Sequence, residues 1–177
     1  QAARRFPDRP GLIWRGRQWS WQEIDRAVSA LARGLAARGI SKGDRLLVHS
    51  KNSDEMFVSM FAAFRLGAVW VPTNFRLMPE EVIYLATFSG AKGFLCQSDF
   101  ADHAAIVAAN APDLRFVWSF GEASFGERTV SDVIAAHLGE ACPDAAVDHD
   151  DPCWYFFTSG TTGRSKAAVL THGQMAF

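Results

Sequence analysis

The chain has 177 residues, of which 49% are hydrophobic and 21% are charged, and its formal net charge at pH 7 is −1. This composition is typical of a folded domain with its own core and argues against general disorder. The near-neutral charge gives no sign of a nucleic-acid surface, and the longest apolar stretch, "MFVSMFAAF", is too short to predict a membrane span.

The first elements are a hairpin followed by a helix. The segment "LIWRGRQWSW" predicts two short strands with Gly16 in the turn. Ser20 and Glu23 have the spacing of a capping box, which predicts that a helix begins there. Apolar residues at helical spacing follow, and Gly39 predicts the end of the helix. We interpret this apolar stripe as core and not as a cofactor site.

The next segments alternate between strands and helices. The segment "DRLLVHS" predicts a strand, and Ser53 caps a predicted helix from about Asp54 to Leu66 that stops at Gly67. The segment "AVWVP" predicts another strand. Pro79 opens the following helix, and Gly90 ends it.

The second half of the chain continues with strands that are mostly continuous apolar runs. The segments "GFLC", "FVWSF", "CWYFF" and "AAVLTH" predict strands, and "SDVIAAHL" predicts a short helix. Continuous apolar strands are typical of parallel sheets covered by helices on both faces. The predicted fold class is therefore α/β, a layered and mostly parallel sheet flanked by helices.

The cysteines and histidines show no metal-site spacing. Cys96, Cys142 and Cys153 are scattered along the chain, which favours reduced thiols and a cytoplasmic location. The five histidines form no motif such as HExxH. His149 lies among three aspartates in a polar connection, which we interpret as a solvated turn.

One loop has the residue types that phosphate binding requires. In "YFFTSGTTGRSK", residues 155–166, Gly160 and Gly163 bracket Thr161 and Thr162, and Lys166 follows. Glycine lets several backbone N–H groups converge on one anion, while the hydroxyls and the ammonium group add further donors.

Three interpretations of this loop compete. It could be an ordinary surface turn, because Ser, Thr and Gly are common between strands. A P-loop of the GxxxxGK[ST] type does not fit, because Ser165 precedes the lysine, Ala167 follows it, and the next segment is strand-like. The third interpretation is a glycine-rich loop that joins two strands and holds the phosphates of a nucleotide.

The full segment "YFFTSGTTGRSKAAVLTH" closely resembles the phosphate-loop signature of the AMP-forming, acyl-adenylating enzymes. This superfamily includes acyl-CoA synthetases, firefly-type luciferases and adenylation domains of nonribosomal peptide synthetases. The resemblance extends over nearly the whole chain, through "FPDRPGLIWRGRQWSWQEID", "GISKGDRLLVHSKNSDEMF" and "RLGAVWVPTNFRLMPEEVIYLATFSGAK". Among its branches, "VPTNFRL" is most similar to the fatty-acyl-CoA synthetases.

The resemblance implies activation of a carboxylic acid by ATP to an acyl adenylate, followed by transfer to coenzyme A, with Mg²⁺ assisting. It also implies that the loop holds the phosphates that leave as pyrophosphate. The residues that match this role are Thr158, Ser159, Gly160, Thr161, Thr162, Gly163 and Lys166. The family usually has proline in place of Ser165 and glycine in place of Ala167, and neither difference removes a phosphate ligand.

We expect residues 1–177 to form the first part of the N-terminal adenylating domain, with the C-terminal lid domain and the catalytic residues beyond Phe177. The magnesium and coenzyme A sites are expected there too, so the chain by itself is expected to be inactive. Two alternatives stay open: an inactive nucleotide-binding module, and an adenylation domain that loads a carrier protein. The sequence leaves the acid, its chain length and the oligomeric state undetermined.

Overall fold

The computed structural model describes residues 1–121, 125–158 and 165–175. The helices in this part of the chain are α1 Ala2–Arg5, α2 Trp21–Ala37, α3 Asp54–Arg65, α4 Pro79–Ser89, α5 Ala101–Asn110, α6 Val130–Ala136 and α7 His172–Met175. The strands are β1 Pro10–Trp14, β2 Arg17–Ser20, β3 Arg45–His49, β4 Val69–Thr73, β5 Ala91–Gln97, β6 Phe116–Phe120, β7 Arg128–Thr129, β8 Pro152–Thr158 and β9 Lys166–Thr171.

Strands β3 to β9 form one seven-stranded sheet in the order β7-β6-β5-β3-β4-β8-β9. Neighbouring strands are parallel except β8 and β9, which are antiparallel. Helices α2, α3 and α6 contribute buried residues to one apolar cluster, and α4 and α5 contribute to a second. The prediction of a layered, mostly parallel α/β fold is confirmed.

The sheet is most completely buried at its centre. In β3, Leu46 and Val48 belong to the cluster shared with α2 and α3, whereas Leu47 belongs to the cluster shared with α4 and α5. Successive side chains of a strand point to opposite faces, so this division shows that β3 is covered on both sides. Its continuous apolar sequence follows from that position.

The predicted helix ends are confirmed by their capping contacts. The Glu23 backbone N–H donates to Ser20 Oγ at 3.2 Å, and the Ser20 N–H donates to the Glu23 carboxylate at 2.7 Å. At α3 the Met56 N–H donates to Ser53 Oγ at 3.0 Å. Gly90 ends α4 with a left-handed backbone, φ 64°.

The β1–β2 turn differs in one detail from the sequence-based prediction. Gly16 is in the turn with φ 82°, as predicted, but Arg15 before it also has a positive φ of 47°. A two-residue turn of this kind needs positive φ at both central positions, so the arginine adopts a conformation that non-glycine residues seldom take.

The three cysteines are free thiols, and Cys96 and Cys153 are buried. His149 is exposed, with its ring beside the Asp150 carboxylate, as expected for a solvated turn. Across the described ranges, none of the helices is long and apolar enough to cross a membrane.

Candidate functional site

The antiparallel hairpin β8–β9 carries the two ends of the predicted phosphate loop. Its register runs from Pro152 opposite Thr171 to Thr158 opposite Lys166. Thr158 is therefore the last residue of β8, and Lys166 is the first residue of β9 directly across from it. The pairing brings together two of the predicted site residues that are eight positions apart in sequence.

These two residues lie at the carboxyl edge of the parallel sheet. The strands that run parallel end there at His49, Thr73, Gln97, Phe120, Thr129 and Thr158. Ligands of open α/β sheets bind outside this edge, because the loops that leave the strands there can diverge to form a crevice. The hairpin thus places Thr158 and Lys166 where this fold class places ligand-binding residues.

Thr158 and Lys166 also share one face of the hairpin. Directly opposed residues of an antiparallel pair project to the same side, and Trp154, Phe156 and Thr158 alternate with the residues between them. Trp154 packs on the cluster formed with α2 and α3, so this face is the α3 side of the sheet. Both Thr158 and Lys166 are exposed. Within the described part of the chain, Lys166 makes no ion pair with a carboxylate.

The other predicted loop residues lie outside the described residues. They are Ser159, Gly160, Thr161, Thr162 and Gly163. Their assignment to phosphate binding therefore stays a prediction from the sequence.

A polar network that the sequence reading missed lies at the same edge. The Lys51 backbone N–H donates to Gln97 Oε1 at 2.9 Å, and Lys51 Nζ forms an ion pair with Asp99 at 2.8 Å. These contacts tie the loop after β3 to the loop after β5. No local motif marks them, because the three residues are brought together only by the strand order.

His49, one of the five histidines without metal-site spacing, is buried at the end of β3. The Thr73 hydroxyl donates to the Val48 carbonyl at 3.2 Å and lies 2.6 Å from His49 Nδ1. Nδ1 donates to this hydroxyl in one tautomer of the ring and accepts from it in the other. Burial, with a smaller effect of the neighbouring His103 ring, lowers the pKa of His49 to about 4. The ring is therefore neutral at pH 7 and forms a buried hydrogen bond with Thr73.

Glu55, in the first turn of α3, binds the segment that follows β6. Its carboxylate accepts a hydrogen bond from the Gly121 N–H at 2.7 Å. Burial raises the pKa of Glu55 above its usual value, and this hydrogen bond opposes the rise. Residues 1–121, 125–158 and 165–175 contain no group of three or more His, Cys, Asp or Glu that could hold a metal ion.

Comparison with known proteins identifies the family. The family model described as AMP-binding enzyme matches residues 1–177. The chain belongs to this family. The segment containing Thr158 and Lys166 is thus part of an AMP-binding enzyme domain, as its resemblance to the adenylate-forming signature implied.

Relatives of this AMP-binding domain include a feruloyl-CoA synthase and a subunit of surfactin synthase. A feruloyl-CoA synthase of Amycolatopsis is 33% identical over 175 residues, which cover 99% of this chain and 33% of the relative. Surfactin synthase subunit 3 of Bacillus subtilis is 27% identical over 99% of this chain and 13% of its own length. The chain therefore spans about a third, or less, of the relatives that it matches.

Solved structures confirm the fold of this AMP-binding domain. The anthranilate CoA ligase AuaEII in complex with anthranoyl-AMP superimposes with a TM-score of 0.90 over 95% of this chain and 32% of that one, at 22% identity. At that identity the match concerns the fold alone. ATP-bound MatB from Rhodopseudomonas palustris is 32% identical, with a TM-score of 0.75 over 89% of this chain and 30% of that one.

Proposed function

We propose that the full-length protein activates a carboxylic acid with ATP, forms an acyl adenylate, and transfers the acyl group to coenzyme A. The observation that carries this proposal is the pairing of Thr158 with Lys166 at the carboxyl edge of the sheet, within an AMP-binding family domain. Residues 1–177 are proposed to be the first part of the N-terminal adenylating domain, with the C-terminal lid domain beyond them.

The chemistry that the hairpin supplies is charge stabilisation on the leaving group. A carboxylate becomes reactive toward a thiol once its oxygen is bound to AMP, because AMP is a better leaving group than oxide. Forming that bond expels pyrophosphate, on which negative charge accumulates. The Lys166 ammonium and the Thr158 hydroxyl are proposed to donate to its oxygens, since charge-assisted hydrogen bonds are the stronger ones. Gly160 and Gly163 would add backbone donors, and Ser159, Thr161 and Thr162 would add hydroxyls.

The described residues contain no group of three or more His, Cys, Asp or Glu that could hold a metal ion. We therefore derive no step through the metal and expect its ligands elsewhere in the full-length protein.

The proposed acid is a fatty acid, on the resemblance of "VPTNFRL" to that branch. Relatives of similar identity differ in the acids that they are named for. A 3-hydroxybenzoate–CoA ligase of Aromatoleum is 28% identical, and so is the fatty acid–[acyl-carrier-protein] ligase ScoC of Streptomyces coeruleorubidus. Aromatic acids therefore belong in the same test as short-chain and long-chain ones. A cytoplasmic location is also proposed, and the three free cysteines support it.

A carrier protein is the second candidate acceptor. The similarity to ScoC, which is named for transfer to an acyl carrier protein, supports this candidate beside coenzyme A. Supplying the adenylate-loaded enzyme with either coenzyme A or a phosphopantetheinylated carrier domain distinguishes the two, because only the true acceptor yields a thioester.

Acid-dependent exchange of pyrophosphate into ATP by the full-length protein tests the adenylation step directly. We expect exchange with one class among short-chain, long-chain and aromatic acids, and none with residues 1–177 alone. A folded full-length protein that binds ATP but exchanges no pyrophosphate with any acid would instead be an inactive nucleotide-binding module.

A further inference from the structure

The connection that leads into β8 crosses the domain without a helix or a strand of its own. It begins after α6, which directly follows β7, and it reaches β8 on the far side of β6, β5, β3 and β4. Residues 141–147 in its middle are called the crossing segment. Connections of this length without secondary structure are uncommon in compact domains, so specific contacts are needed to hold this one in place.

The backbone of the crossing segment has one hydrogen bond to the rest of the domain. The Ala145 N–H donates to the Arg65 carbonyl at 2.7 Å. In the part of the chain that the structure describes, no other backbone hydrogen bond links residues 141–147 to residues outside them. Cys142 adds apolar packing on the cluster shared with α2 and α3. A segment with so few hydrogen bonds opens at a lower free energy than the strands of a sheet.

Arg65, the last residue of α3, makes the side-chain contacts that hold this segment. Its Nε donates to Asp144 Oδ1 of the crossing segment at 3.0 Å. Its Nη2 donates to Asp25 Oδ1 of α2 at 2.6 Å, and its Nη1 donates to Ser29 Oγ of the same helix. The Arg65 side chain is 16% exposed, so the guanidinium is largely withdrawn from water. One side chain therefore joins α2, α3 and the crossing segment.

The arrangement of these partners requires an arginine. They lie around one planar guanidinium, whose N–H groups point in fixed and diverging directions. A lysine would keep a positive charge in the last turn of α3, where a cation is favourable, but its compact ammonium would not reach all three partners. The neighbouring ion pairs lie outside the segment, Arg33 with Glu140 at 3.3 Å before it and Lys42 with Asp151 at 2.6 Å after it.

We propose that the Arg65 guanidinium anchors the crossing segment, and that without it the segment detaches from α2 and α3 while the sheet stays folded. Detachment breaks the hydrogen bond between Ala145 and the Arg65 carbonyl and separates Asp144 from α3. Arg65 is a positioning residue for residues 141–147 and takes no part in the chemistry of the candidate site. The inference is independent of the proposed function.

Residue-resolved hydrogen–deuterium exchange at the Ala145 amide of the full-length protein tests this anchor. The amide exchanges after its bond to the Arg65 carbonyl opens, and a substitution at position 65 leaves that carbonyl in place. Arg65→Gln is expected to speed the exchange by about 5- to 30-fold, because it removes the charge-assisted hydrogen bonds to the segment. Arg65→Lys is expected to come close to Arg65→Gln, which separates the geometry of the guanidinium from its charge. Unchanged exchange at Ala145 in Arg65→Gln would overturn the proposal.

A second amide in the same protein distinguishes an anchor from a general effect on α3. The Ala68 N–H donates to the Ala63 carbonyl at 2.9 Å, just beyond the end of this helix. Its exchange should be the same in the wild type and in the Arg65 variants. Equal acceleration at Ala68 and Ala145 would mean that Arg65 stabilises only the end of α3, and the proposal would be wrong.

Arg33→Gln is the matched control variant. It makes the same substitution on α2 and removes the exposed ion pair with Glu140, which precedes the crossing segment. We expect it to change exchange at Ala145 by less than about twofold, because exposed ion pairs contribute little. An effect as large as that of Arg65→Gln would refute the assignment of the anchor to Arg65.

Salt provides a measurement on the wild type, which decides the question if Arg65→Gln does not fold. Raising the ionic strength from about 0.05 M to about 0.5 M screens the ion pairs that Arg65 forms with Asp25 and Asp144. We expect the Ala145 amide to exchange about 2- to 5-fold faster at the higher ionic strength, with Ala68 unchanged. Equal exchange of Ala145 at the two ionic strengths contradicts an electrostatic anchor.

Discussion

The centre of the sheet and the β8–β9 hairpin both consist of apolar strand sequences, but their side chains differ in how far they are buried. In β3, Leu46, Leu47 and Val48 are completely buried, whereas in β9 Val169 is 48% exposed. β3 has a parallel neighbour on each side, while β8 has a single register pair with β4. The difference follows from position, because β3 lies at the centre of the sheet, whereas β9 is its last strand in the described part of the chain and begins at the predicted site residue Lys166.

The largest contrast is expected from truncating an apolar residue in each region. Leu47→Ala should lower the free energy of unfolding by about 2–5 kcal/mol, because it leaves a cavity in a closely packed core. Val169→Ala in the hairpin should change it by less than about 0.5 kcal/mol, as exposed substitutions usually do. Denaturant titration of both variants in the full-length protein measures the pair. Similar losses would show that the hairpin is part of the cooperative core.

Lys166→Ala targets the proposed function of the hairpin and not the stability of the sheet. On the proposed function, removing this charge should slow acid-dependent ATP–pyrophosphate exchange by about 10²- to 10³-fold. Lys92→Ala is the control, since Lys92 is near the amino end of β5 and pairs with Asp113 at 3.6 Å. Exchange at the wild-type rate in Lys166→Ala would mean that Lys166 is only a surface charge.

The buried His49 predicts a pH dependence that belongs to the centre of the sheet. The fold keeps its ring neutral with a pKa of about 4, whereas the unfolded chain takes up a proton below about pH 6.5. Stability from this group is therefore complete above pH 6.5 and is lost as the pH falls toward 4, by up to about 3 kcal/mol.

The side chain of His49→Asn can hydrogen-bond to Thr73 but cannot titrate. Its free energy of unfolding should depend less steeply on pH between 6.5 and 4 than that of the wild type, whatever its stability at pH 7. Parallel pH profiles for the two proteins would contradict the assignment of this dependence to His49.

The smallest expected difference in stability between the two regions comes from replacing one methyl group of a valine with a hydroxyl group. Val71→Thr in β4 should cost about 1–3 kcal/mol, because Val71 is fully buried and the hydroxyl needs a partner there. Val169→Thr should stay within about 0.5 kcal/mol, since water can solvate the new group. Thermal unfolding of the two variants under one condition compares them, and equal shifts would refute the difference in burial.

Local signals predicted most of the elements, though not α1, α5 or β7, and the two strands that flank the predicted phosphate loop. The Ser20–Glu23 capping box, the Ser53 cap and the Gly90 terminus are all within four residues of their partners, so the sequence was sufficient to place them. The strands on both sides of the phosphate loop were predicted for the same reason. Thr158 and Lys166 come together because a hairpin pairs residues that are close in the chain.

Contacts between distant strands could not be predicted in this way. The sheet order places β3 between β4 and β5, and that arrangement buries His49 and brings Lys51 to Asp99. The Thr73 hydroxyl reaches His49 for the same reason, because β3 and β4 are paired along their whole length and no short motif encodes that pairing.

The edge position of β9 has a consequence for handling the chain. β9 is the last strand of the sheet in the described part of the molecule, and from Ala167 to Thr171 it has no charged residue. Charges and prolines on edge strands normally prevent one molecule from adding its strand to another. We therefore expect residues 1–177 to self-associate through β9 as the concentration rises, with Val169→Lys restoring a monomer in light scattering.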